Sequence, residues 1–144
     1  MSATADSSLI VALYLNEADS ARADGTCAFV APPVRLTDWH LVEIANAFQR
    51  AVKNTRITPE QAVLLWRNFT DDVATGRFEI VQVDHAAVLA RTLTLTQKHT
   101  ATSGTRSLDL IHIASALEIG ATDFLSFDNR QRDAAKAEGL KVLP

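Results

Sequence analysis

The chain is poor in cysteine, glycine, proline and aromatic residues, and it has no surplus of positive charge. Its single cysteine, Cys27, excludes an internal disulfide framework and a Cys-rich zinc site. Cys27 reads instead as a small buried hydrophobe. With five glycines and four prolines among 144 residues, no linker or low-complexity tract interrupts the chain. No internal repeat appears either, so the reading is one domain spanning 1–144. No apolar run approaches the roughly 20 residues that cross a bilayer. The opening stretch, Met1 to Asp6, carries no base and meets a carboxylate before its apolar stretch. That argues against a secretory signal and for a cytoplasmic protein away from the membrane. Fourteen Lys and Arg against seventeen Asp and Glu leave a net charge of −3, which speaks against a broad basic surface for nucleic acid. Four carboxylates gathered in one site would leave the remaining surface close to neutral. What is present is ordinary: 47% hydrophobic and 22% charged residues exclude disorder and fibrous repeats.

Hydrophobic patterning alternates between two periods. Ser2–Ala5 is a thin candidate strand, followed by an apolar helix from Ser7 through Leu15. Residues 17–31 read as a poorer helix broken near Gly25 and ended by Pro32-Pro33. Val34–Thr37 is extended and leads into a helix over Asp38–Lys53, where Leu41, Ile44, Ala45, Phe48 and Val52 recur at helical spacing. Thr58-Pro59-Glu60-Gln61 combines an N-cap threonine, proline at the first helical position and a capping-box glutamine. That helix should reach Thr75, where Gly76 stops it. Phe78–Val83 reads as a strand, and Asp84 caps a helix to Lys98. A polar loop at Thr100–Thr105 precedes a helix over Ser107–Ile119. Asp123–Phe127 is a strand, Asn129–Glu138 a charged helix and Leu140–Leu143 a last strand. This alternation predicts a three-layer α/β/α domain around a mostly parallel sheet of four or five strands.

In such folds, ligands bind in the crevice at the carboxyl ends of the strands. Four acids fall there. Asp6 closes the first strand, and Glu43 lies early in the helix after the second. Asp109 is in the first turn of the helix from Ser107, and Asp128 follows the strand at Leu125-Ser126-Phe127. Each has a plainer reading as well. Asp6 and Asp128 can act as helix caps, Asp109 suits the positive end of a helix dipole, and Glu43 can be a solvated helix residue. The plain reading weakens at Asp109, because the helix around it is apolar nearly all round and therefore buried. A buried carboxylate is paired, protonated or metal-bound, and Arg106 is the base nearest in sequence. His112, one turn on, reads as a core histidine with its hydrogen bonds met. Asp123 rivals Asp128 as the fourth acid, but it begins its strand rather than ending it.

Convergent carboxylates with few histidines and no cysteine select a hard divalent ion, Mg²⁺ or Mn²⁺. One or two such ions suit phosphodiester hydrolysis, since they activate water and neutralise charge on the phosphate. Without a cation the acids would repel one another and a polyanionic substrate. Asn46 shares a helix face with Glu43, and Ser126 shares a strand face with Asp128; both are candidates to orient ligands or water. Arg106 and Arg130 flank the acids as candidate phosphate contacts. Arg50, Lys53 and Arg56 form a second basic group, with solvated charge as the alternative. Trp39 and Trp66 fit core or interface positions as well as base stacking, and neither is assigned.

The segments Asp6-Ser7-Ser8, Glu43-Ile44-Ala45-Asn46-Ala47, Gly104-Thr105-Arg106-Ser107-Leu108-Asp109-Leu110-Ile111-His112-Ile113-Ala114 and Phe124-Leu125-Ser126-Phe127-Asp128-Asn129-Arg130-Gln131 together resemble PIN-domain proteins, specifically the VapC-type toxins. The resemblance covers essentially the whole chain in order. Its last two blocks are the specific ones. It implies a metal-dependent endoribonuclease that is held inactive by a co-expressed antitoxin and often dimerises, with Asp6, Glu43, Asp109 and Asp128 as the acidic set. Two rivals remain at this level. A receiver-like phosphoacceptor domain would need a paired acidic motif and a late lysine, and neither is found. A non-catalytic RNA- or protein-binding module on the same fold would retain the architecture without the cleavage.

Overall fold

A computed structural model of the chain describes residues 2–144; Met1, part of the opening stretch read above, lies outside the described residues. Five three-residue strands form the centre: β1 (Ala3–Ala5), β2 (Val34–Leu36), β3 (Phe78–Ile80), β4 (Asp123–Leu125) and β5 (Lys141–Leu143). Helices α1 (Ser7–Ala12) and α2 (Ser20–Ala28) follow β1, while α3 (Asp38–Lys53) and α4 (Pro59–Ala74) separate β2 from β3. Between β3 and β4 run α5 (His85–Leu95), a π turn (Thr96–Thr100), the single turn α6 (Ala101–Ser103) and α7 (Ser107–Glu118). Helix α8 (Asn129–Ala137) joins β4 to β5. The strand order is β3-β2-β1-β4-β5, and every pairing is parallel. The expected sheet is therefore five-stranded and wholly parallel.

Strand β1 is short and built of Ala and Thr, yet it occupies the middle of the sheet. Pairing on both sides, Ala3 with Val34 and with Asp123, supplies what its propensity does not. Its two alanines are buried, and their small side chains let the covering helices lie close. One core packs α1–α4 against Ala3, Ala5, Val34, Leu36 and Leu125. The other packs α5, α7 and α8 against Phe124. Adjacent residues Phe124 and Leu125 thus point into opposite layers, as the period of a strand requires. Thr58 caps α4 as expected: its hydroxyl accepts from the Gln61 N–H at 3.2 Å, and Gln61 Oε1 accepts from the Thr58 N–H at 2.8 Å.

Three local expectations are corrected. Gly25 does not break the second helix; α2 runs through it. The cost of about 1 kcal/mol relative to alanine is absorbed because neighbouring Ala23 and Thr26 are buried. The polar stretch after Lys98 is not a loop before Ser103. It stays helical through the π turn and α6, because Thr96 and Ser103 hydroxyls bond the carbonyls four residues back and Glu138 holds Lys98 and His99, each at 2.6 Å. Gly104, at φ +68°, then makes the reversal into α7. The strands at 78 and 123 stop three residues in, and one further bond from each, Val81 N–H to the Leu36 carbonyl and Ser126 N–H to the Leu143 carbonyl, ends the ladder.

Candidate active site

The chain builds β1, β2 and β3 to one side and β4 and β5 to the other. The reversal of direction therefore lies between β1 and β4, and ligands of open parallel sheets bind at its carboxyl edge. Asp6 and Asp128 occupy that edge as the N-caps of α1 and α8. Glu43 lies early in α3, after β2. The N-terminus of α7, which feeds β4, brings Asp109 to the same edge. Asp123 stands at the opposite end of β4, bonded to Thr122 at 2.6 Å and near Lys141, so it is not part of this group.

Asp6 is nearly buried, and both its oxygens are used. Oδ2 accepts from the Ser8 N–H at 3.0 Å and from the Ser8 hydroxyl, and Oδ1 accepts from Gln131 Nε2 at 3.0 Å. Burial pushes its pKa up, but the charge on His112 and the bonds from Ser8 and Gln131 outweigh burial and hold it below the ordinary value. Glu43 Oε1 accepts from Ser7 Oγ at 3.1 Å and contacts His112 Nε2. Asp109 Oδ2 accepts from Arg106 N–H at 3.1 Å and from Arg106 Nε at 3.2 Å, with a further guanidinium contact to Oδ1 at 3.4 Å. Asp128 Oδ1 accepts from the Arg130 and Gln131 N–H groups at 2.9 and 3.3 Å. Its burial would raise its pKa, but these bonds and the Arg130 charge hold it low.

His112 is fully enclosed and joins the acids electrostatically. Burial disfavours its charged form, yet the Glu43 bond and the charges of Asp6, Glu43 and Asp109 raise its pKa. Arg106 lies in the combined field of Asp109, Asp128 and Asp6. The expectation that His112 is a core histidine with its bonds met holds for Nε2 and fails for Nδ1, which is buried without a partner. Its ring leans on that of His40, centroids 4.3 Å apart. A cleft of about 700 Å³ opens over this edge, walled by Ser7, Glu43, Asn46, Arg50, Arg106 and Asp109 among others. Asn46 faces that cleft beside Glu43, whose own bonds go to Ser7 and His112 instead. Ser126 is wholly buried; it donates to Gln131 Oε1 at 2.6 Å and accepts from the Asp128 N–H at 3.2 Å. Arg130 is exposed and turned to Asp128. Of the other bases, Arg56 is spent on Glu17 and the Asn16 carbonyl.

The residue-type expectations missed Gln131, Ser7 and His40. Gln131 was detectable in principle. It shares its helix face with Ala134 and Ala135, so an amide falls among the buried positions of α8. The donor set, carboxylates from four segments, fits a hard divalent ion. As they stand, Glu43 turns to His112 and Asp109 to Arg106. Among the described residues no three His, Cys, Asp or Glu side chains are grouped as ligands of one ion.

The PIN-domain family model matches residues 4–137. The chain belongs to the PIN-domain family. Among solved structures, this PIN domain is similar to Mycobacterium tuberculosis VapC20, described as a sarcin-ricin loop cleaving toxin, with a TM-score of 0.71 and 19% identity over 99% of this chain and 100% of that one. It is also similar to FitAcB from Neisseria gonorrhoeae, with a TM-score of 0.69 and 14% identity over 98% of this chain and 96% of that one. A toxin-antitoxin complex from Klebsiella pneumoniae gives a TM-score of 0.62 and 15% identity over 99% of this chain and 97% of that one. No curated protein matches the chain at the level of sequence. At these identities the structural likenesses establish the fold. Among the described residues no helix is long and apolar enough to cross a membrane.

Proposed function

We propose that this PIN domain, a single unit over 1–144, is a metal-dependent endoribonuclease and the toxin of a VapC-type toxin–antitoxin pair. The observation that supports the reading is a cleft at the carboxyl edge of the sheet, by its topological switch point, lined by Glu43, Asp109, Arg50 and Arg106, with Asp6 and Asp128 capping helices at the same edge. The four acids would hold one or two Mg²⁺ or Mn²⁺ ions. Bound there, a divalent ion supplies an activated water and neutralises charge on the scissile phosphate. Arg106 would turn from Asp109 to the RNA backbone, and Arg130 would hold the flanking phosphate. Asn46 orients water or ligand from the cleft wall, and Ser126 acts from beneath through Gln131 and the Asp128 N–H. A cognate antitoxin that covers the cleft, a homodimer and a cytoplasmic site of action complete the proposal. The solved relatives named above, which include a toxin–antitoxin complex, support the antitoxin.

One observation favours the alternative of a non-catalytic RNA- or protein-binding module: the Arg106 guanidinium sits on Asp109 as a salt bridge. A cleavage assay separates the two. The wild-type chain should cut single-stranded RNA with Mn²⁺ or Mg²⁺ and stop with EDTA. Asp109→Asn should lose at least 100-fold in rate while remaining folded by circular dichroism. Binding of RNA without metal-dependent cleavage by the wild type would establish the module reading instead.

A further inference from the structure

Gln131 is 0% exposed, and every hydrogen-bonding group of its carboxamide has a partner. Nε2 lies 3.0 Å from Asp6 Oδ1 and 3.2 Å from the Asp109 carbonyl oxygen. Both of those atoms only accept, so the nitrogen must be on that side. Oε1 accepts from the Ser126 hydroxyl at 2.6 Å. That hydroxyl in turn accepts from the Asp128 N–H, which leaves its one proton for Gln131. The Gln131 backbone N–H donates to Asp128 Oδ1 at 3.3 Å. One side chain therefore ties together the end of β1, the first turn of α7 and the link from β4 to α8, the three segments that carry Asp6, Asp109 and Asp128.

From this network we infer that Gln131 is a positioning residue for the acidic site, fixing the Asp6 carboxylate and the approach of α7 through the two N–H groups of its amide. The inference deepens the metal-dependent reading above and rests on it. The amide is the chemistry the place demands. A carboxylate here would present acceptors to two acceptors, and would set a second negative charge against the buried Asp6 carboxylate. An apolar side chain of the same length would fill the space and leave Asp6 Oδ1 without its buried donor. With Oδ1 bound to Gln131 and Oδ2 to Ser8, Asp6 is held in one orientation, and partners of this kind typically set ligand affinity by 10- to 100-fold.

The test uses Mn²⁺ alone as probe, followed by calorimetry, on wild type, Gln131→Glu and Gln131→Met. Glutamate keeps an acceptor for Ser126 and loses the donors; methionine keeps the volume and loses both. Each variant should bind Mn²⁺ about 10- to 100-fold more weakly at a temperature where it is folded. In the cleavage assay kcat should fall with KM for RNA unchanged, because Gln131 does not line the cleft. Gln131→Met binding Mn²⁺ as tightly as wild type would overturn the inference and leave the metal-dependent reading standing. Wild type binding no Mn²⁺ would overturn both. Should the variants fail to fold, Mg²⁺ titration of the wild type by NMR decides. The Gln131 side-chain amide should shift with the same midpoint as the Asp6 and Asp109 backbone amides, and a silent Gln131 amide would overturn the inference.

Discussion

His40 fixes the geometry between β1 and α3, and does so only when neutral. It is 1% exposed. Nδ1 accepts from the Thr37 N–H at 3.0 Å, and Nε2 donates to the Ala5 carbonyl at 2.8 Å, so the tautomer is set by its neighbours. A second ring proton would face the Thr37 N–H. Burial, with the like charge of His112, pushes the His40 pKa down to about 3. In the unfolded chain it returns to 6.5, so between these values the unfolded state binds a proton that the native state refuses. Stability from this residue is complete above pH 6.5 and falls as pH drops, at about 1.4 kcal/mol per unit. The window from pH 6 to 4.5 isolates it. His112, whose pKa is raised, changes stability above 6.5, while the lowered carboxylates Glu60 and Glu138 act below 4.5 and Asp6 and Asp128 below 3.8. Over that window His40 should remove about 2 kcal/mol, a large share of a total of 5–15 kcal/mol. Urea unfolding across the pH series measures this, with His40→Gln as reference because glutamine preserves the capping acceptor at this position. The variant should start less stable and lose about 2 kcal/mol less between pH 6 and 4.5. Equal losses in the two proteins, or a His40 ring that titrates near 6.5 by NMR, would refute the reasoning.

Two further outcomes are expected. Phe69 is fully buried among the rings of Tyr14, Trp66 and Phe78, and Phe69→Ala should cost about 3–5 kcal/mol in urea unfolding. Arg106→Ala should tighten Mn²⁺ binding by freeing Asp109, weaken RNA binding across sequences, and lower the salt dependence of that binding by about one phosphate contact.

Where the sequence was legible, a local pattern and a tertiary constraint agreed. Thr58-Pro59-Glu60-Gln61 contains a helix start complete in four residues, and the apolar run around Asp109 marks α7 as buried whatever packs on it. The order of the acids along alternating elements points each segment to the carboxyl edge, but not to the partners that Asp109 and Glu43 take, Arg106 and His112. What escaped was decided by contacts distant in sequence. Residues 100–103 carry loop-like composition, and part of what keeps the stretch helical is Glu138, at the end of α8, which holds Lys98 and His99. Gln131 sits in a helix that reads as charged and solvated; its burial follows from α8 packing on α7. His40 closes a capping box with Thr37, but nothing near it in sequence shows that its other nitrogen reaches the Ala5 carbonyl in β1. Asp123 and Asp128 flank one strand, and their places at its start and past its end already separate them in the sequence.

Asp6 and Asp128 begin helices, and Asp109 receives the N–H of the residue that opens a third. A descendant of this chain without metal chemistry would still be under pressure to keep these aspartates, because replacing a cap costs about 1 kcal/mol. Glu43 closes no helix end. Its structural partners are Ser7 and the enclosed His112 instead, so each of the four positions has a reason within the fold to keep its acid, and retention alone is no measure of activity.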